Sequence, residues 1–137
     1  MARENSELKY TFAFCMYRRR CVAEDEVGTR LRELLAELAA SMGTELLDMN
    51  CAADCVQIRV AAPAVVAPDT IATTLKDGSE RTLRAEYREL RALSALWTAG
   101  YLAATGEEFE RGRLWRFVEE ERQGEGDERV IITAPPE

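Results

Sequence analysis

The sequence predicts an α+β sandwich: an antiparallel sheet with helices packed on one face. Three observations lead there. The run "LKYTFAFCM" alternates apolar and polar or small residues, the spacing turns helical after Asp25, and two further strand-like runs follow, separated by a tight turn. In chain order the elements read strand, helix, strand, strand, helices, strand, helix. A β-α-β-β-α-β order is that of the ferredoxin-like sandwich.

In the first strand Leu8, Tyr10, Phe12, Phe14 and Met16 share one face, and Lys9, Thr11, Ala13 and Cys15 the other. Val27, Leu31, Leu34, Leu35, Leu38 and Met42 then recur at helical spacing, which predicts a helix over Glu26 to Met42 ended by Gly43. "TELLDMNC" and "CVQIRVAAP" read as a hairpin turning through Ala52, Ala53 and Asp54, with Pro63 closing the second strand. Pro68 and Asp69 open a helical stretch, "TIATTLK", which "DGS" is expected to break. Ser79 is then expected to cap a further helix, "ERTLRAEYREL", with Leu83, Tyr87 and Leu90 on one face. A strand, "GYLAATG", precedes a last helix, "FERGRLWRFVEEER", in which Leu114, Phe117 and Val118 share a face. Residues 1–122 are expected to form one domain. Residues 123–137 read as an acidic linker and a tail whose β-prone run, Val130 to Thr133, has the composition of an edge strand.

A chain of 137 residues with 47% hydrophobic content suits a single core. No apolar run approaches the roughly 18 residues of a membrane span, and "MARENSELK" has no apolar signal core, so a cytoplasmic protein with no membrane partner is expected. Cys15, Cys21, Cys51 and Cys55 form no CxxC pair, and the chain has no histidine, so buried thiols are expected in preference to a zinc site. No metal and no cofactor are predicted. The net charge of −7 counts against indiscriminate nucleic-acid binding. Charge is unevenly spread, however: Glu119 to Arg129 holds six acids and two arginines, while Arg18, Arg19 and Arg20 form a basic run.

One stretch, "AADCVQIRV", bears on chemistry. Cys55 and Gln57 stand at alternate strand positions, so both face one side of the sheet, where two imidazoles would make a metal site. Together with "MYRRR", "LKDGSERTLRAEY", "LWTAGYLAATG" and "RFVEEE", this stretch resembles, in order and spacing, the single-tyrosine transposases, the small insertion-sequence and REP-associated enzymes that cut single-stranded DNA at hairpins. The resemblance covers Leu8 to about Arg122. It implies a metal-binding histidine pair at Cys55 and Gln57, a nucleophilic tyrosine at Phe117, and a metal-binding glutamine at Glu121. A thiol and a neutral amide suit Mg²⁺ poorly, and phenylalanine has no oxygen to attack phosphorus. The catalytic positions therefore read as degenerate, and the chain as a non-enzyme.

The same resemblance points Arg18, Arg19, Arg20, Lys76, Ser79, Arg81 and Arg84 toward DNA, and it implies a homodimer. Arginines beside a serine hydroxyl can hold phosphate oxygens, although the same residues also fit a solvated helix face paired with Glu80 and Glu86. Tyr87 and Tyr101 read as structural. Trp97, Trp115 and Phe109 fit either core or interface packing. Two functions stay open: an inactive, domesticated homodimer that binds hairpin or other single-stranded DNA, and a dimeric scaffold that binds another protein. A nuclease with an altered site would need chemistry that these residues do not supply.

Overall fold

The computed structural model describes residues 7–16, 26–52, 55–91, 95–105 and 109–124, with side chains at 51, 52 and 124 left aside. The described elements are β1 (Glu7–Cys15), α1 (Glu26–Ser41), β2 (Glu45–Ala52), β3 (Cys55–Pro63), α2 (Pro68–Glu86), α3 (Arg88–Arg91), β4 (Leu102–Thr105) and α4 (Arg111–Gly124). The four strands form one antiparallel sheet in the order β2-β3-β1-β4. This is the predicted α+β architecture.

The alternation in β1 explains the main core. Tyr10, Phe12, Phe14 and Met16 point to the same side as Val56, Ile58 and Val60 of β3, and there they meet Leu31 and Leu35 of α1 and Ile71, Leu75 and Leu83 of α2. Leu8, expected on the same face, is 40% exposed near the start of the strand. α1 stops at Gly43, which takes a positive φ of 73° that favours glycine. The hairpin register pairs Ala52 with Cys55, as the tight turn required.

Two features differ from the sequence reading. The first concerns "DGS", which does not break a helix: α2 runs unbroken from Pro68 to Glu86. Gly78 serves a close helix–helix approach, because a Cβ there would lie 2.6 Å from Leu38 Cδ2 of α1. Ser79 is an interior residue of that helix and caps nothing; its hydroxyl donates back to the Leu75 carbonyl at 2.6 Å. The helix ends instead at Tyr87, whose backbone is extended (φ −120°, ψ 112°).

The second difference is α4. The helical layer of α1 and α2 covers one face of the sheet, whereas Leu114, Phe117 and Val118 of α4 pack on Ala13, Cys15 and Cys55, which point to the other face. The far ends of β1 and β3 are therefore buried on both sides. The small side chains of Ala13 and Cys15 leave room for the helix.

Candidate functional site

The positions singled out on β3 and α4 come together on this second face. Cys15 and Cys55 are direct cross-strand partners, both fully buried, and neither forms a disulfide. Phe117, 3% exposed, joins them in a small apolar cluster with Leu114 and Val118. The Cys55 sulfur lies 4.0 Å from the Leu114 carbonyl oxygen. Gln57, also buried, uses both ends of its amide. Its Oε1 accepts the Phe109 backbone N–H at 3.1 Å, and its Nε2 donates to Asn50 Oδ1 at 3.4 Å. One turn beyond Phe117, Glu121 Oε1 accepts the Gly100 N–H at 2.7 Å, and buried Arg122 donates to the Met16 carbonyl at 2.7 Å.

Apart from the Cys15–Cys55 pairing and the Gln57–Asn50 bond, which lie within the sheet, these contacts fasten α4, or the segment entering it, to the sheet or to the segment before β4. As a metal site the set fits poorly: a sulfur inside an apolar cluster, an amide with both ends engaged, and a carboxylate committed to a backbone amide. Among the described residues no group of three or more His, Cys, Asp or Glu is placed to hold a metal ion. The donor set does not suit the hard divalent ion that the resemblance implies.

Residues 4–121 match the family model of IS200-like transposases. The chain belongs to the IS200-like transposase family. It is 28% identical over 123 residues to the ISDra2 transposase TnpA of Deinococcus radiodurans, covering 87% of each chain. Its fold also matches, at a TM-score of 0.72 and 24% identity, the crystal structure of a Deinococcus radiodurans R1 protein assigned as a transposase, over 84% of this chain and 91% of that one.

None of the described tyrosines lies in the cluster around Phe117, the position at which the resemblance implies a tyrosine. Tyr10, Tyr87 and Tyr101 all pack with the core on the α1–α2 side, opposite Cys55 and Gln57. Tyr101 makes edge contacts with Phe12 and Phe14 and donates its hydroxyl to Asp69 at 2.6 Å, which pushes its pKa up to about 12. Tyr17 lies outside the described residues.

The basic residues divide into three groups. Arg18, Arg19 and Arg20 lie outside the described residues. Lys76 and Ser79, expected to face DNA, are instead buried and fully engaged. Lys76 Nζ donates to the carbonyls of Thr98, Ala99 and Gly100 at 2.7, 3.2 and 3.0 Å, which occupies all three ammonium hydrogens. Burial lowers its pKa, opposed by the nearby charges of Glu121, Asp77 and Glu80. Ser79 Oγ also accepts the Trp97 indole N–H at 3.0 Å, which places Trp97 in the core. This placement corrects the sequence expectation: Lys76 holds the Thr98–Gly100 segment, Ser79 holds the Trp97 indole, and neither offers a donor to a phosphate.

Arg81 and Arg84 do line a surface groove. Arg84 pairs with Glu80 at 3.3 Å, while Glu86, the other carboxylate expected nearby, pairs with Arg30 of α1 at 2.9 Å. Arg91, not singled out from sequence, lines the same groove. The available signal was a basic residue just past the end of a helix. Phe109 and Trp115 are half-buried, Phe109 against the cluster around Phe117. No helix among the described residues is long and apolar enough to cross a membrane.

Proposed function

We propose that this IS200-like transposase relative has lost strand cleavage and acts as a homodimer that binds structured single-stranded DNA. One observation carries the reading: where the family resemblance implies a nucleophilic tyrosine, Phe117 fills an apolar cluster with Cys55, itself at a position implied for a metal-binding histidine. The attacking oxygen and the histidine pair are replaced together, and Gln57 and Glu121 are engaged in protein contacts. DNA binding needs neither group, since phosphate contacts depend on arginines and lysines elsewhere on the surface. Arg81 and Arg84 on α2, with Arg18, Arg19 and Arg20, are the proposed contacts.

A second reading, a dimeric scaffold that binds another protein and not DNA, is favoured by the net charge of −7. Fluorescence anisotropy with hairpin oligonucleotides, titrated over NaCl, separates the two. The DNA reading expects binding that weakens linearly in log–log form as salt rises. Undetectable binding at low salt would leave the scaffold reading standing alone.

A further inference from the structure

The C-terminal half of α2 and the single turn of α3 enclose a groove of about 530 Å³, lined by Asp77, Glu80, Arg81, Arg84, Ala85 and Arg91. Asp77, Arg81 and Arg84 fall on one side of α2 because they are four and three residues apart. The extended backbone at Tyr87 then turns the chain, and α3 brings Arg91 back over the end of α2. Arg91 Nη1 donates to the carbonyls of Arg84 and Ala85 at 3.1 and 2.9 Å. A guanidinium at this point offsets the negative end of the helix, which would otherwise repel an anion. Those two bonds also hold the side chain in place before any ligand arrives.

The lining carries three guanidiniums against two carboxylates. Glu80 and Arg84 neutralise one another at 3.3 Å. Asp77 lies close enough to the buried Lys76 ammonium to affect its ionisation, so its charge is partly balanced from within. Arg81 has no carboxylate partner among the described residues, and Arg91 uses only Nη1 on protein acceptors there. Two forked donors with unused N–H groups face one groove, and the ligand that matches them is a tetrahedral anion with several acceptor oxygens.

We propose that this groove is a phosphate subsite in which Arg81 and Arg91, flanked by Arg84, hold a phosphate of a nucleic-acid strand. The assignment to a strand rests on the DNA-binding reading above; the phosphate chemistry itself does not. A free phosphate ester offers the same oxygens, so the test separates the two sources.

The test uses the full chain and a fluorescent hairpin oligonucleotide, comparing wild type with Arg81→Gln and Asp77→Asn. Arg81→Gln removes a side chain with no described protein partner, so folding should be unaffected. Loss of one phosphate contact is expected to lower the slope of log K against log [NaCl] by about 0.7 and to weaken low-salt binding on the order of tenfold. Asp77→Asn should tighten binding, a gain that damage to the fold would not produce. If wild type binds the hairpin and neither variant changes affinity or slope, the groove assignment is wrong while DNA binding survives. Where wild type binds no hairpin, NMR of the arginine Nε–H resonances during titration with inorganic phosphate decides. Shifts confined to Arg81, Arg84 and Arg91 would support a site for free phosphate, and their absence would overturn the proposal.

Discussion

Phe117 and Gln57 show how single residues set the character of the second sheet face. Replacing Phe117 by tyrosine would place a hydroxyl inside an apolar cluster, at a cost of about 1–3 kcal/mol unless the helix shifts to hydrate it. Phe117→Tyr should therefore lower the urea midpoint without creating cleavage. Gln57→Ala removes the acceptor for the Phe109 N–H and the donor to Asn50, and about 1–3 kcal/mol of stability should go with them. Hydrogen exchange should locate the loss at the entry to α4, with β3 itself little affected. Tyr101 gives a pH prediction with a definite sign. Its pKa is raised from 10.0 to about 12 by Asp69, so the bond contributes fully below pH 10 and is lost as pH rises through about 12. The difference in tyrosinate absorbance between wild type and Tyr101→Phe should show this late titration, and Asp69→Asn should bring it back toward 10. At this scale the sequence was only partly legible. The absence of histidine at positions 55 and 57 and of tyrosine at 117 could be read directly, but the burial of Lys76 and Ser79 could not. Polar residues on a helix read as exposed by default, and what overrides the default is the distant segment Thr98–Gly100, whose carbonyls Lys76 satisfies.

Among the elements, α2 best illustrates how local signals mislead. Asp-Gly-Ser is a turn signal by composition, yet here it sits inside a helix because glycine lets α1 and α2 approach at Leu38. Gly78→Ala would gain about 1 kcal/mol of helix propensity and lose about 1–3 kcal/mol to overpacking against Leu38. The single variant should be destabilised, and Leu38→Ala should relieve it. A double-mutant cycle by urea unfolding is expected to show coupling between these two residues and none between Gly78 and an alanine change at Glu33, an exposed site on α1. The strands, by contrast, were legible nearly to the residue. β1 and β3 carry alternating large apolar side chains, and Gly43 and Pro63 mark ends that the structure keeps. The seat of α4 was not legible, since a helix with one short apolar face can cover either side of a sheet. What decides it here is that Ala13, Cys15 and Cys55 are small enough to receive Leu114 and Phe117.

For the whole molecule, membership in the IS200-like transposase family and the antiparallel α+β sheet stand together with a surface of net charge −7. That charge makes any DNA contact local, confined to patches such as the α2–α3 groove, and steeply weakened by salt. A homodimer is expected, and sedimentation equilibrium should return twice the 15.4 kDa chain mass. The proposed dimer needs neither the Phe117 position nor a metal ion, so it is expected to be insensitive to Phe117→Tyr and to chelators. The central proposal is that the fold of the IS200-like transposases persists here while the positions at which the resemblance implies cutting groups have become packing. The most direct measurement incubates the protein with labelled hairpin DNA and Mg²⁺ or Mn²⁺, then looks by denaturing electrophoresis and mass spectrometry for DNA covalently attached to the chain. No adduct and no nicked strand are predicted. A metal-dependent adduct on any tyrosine of this chain would contradict the account.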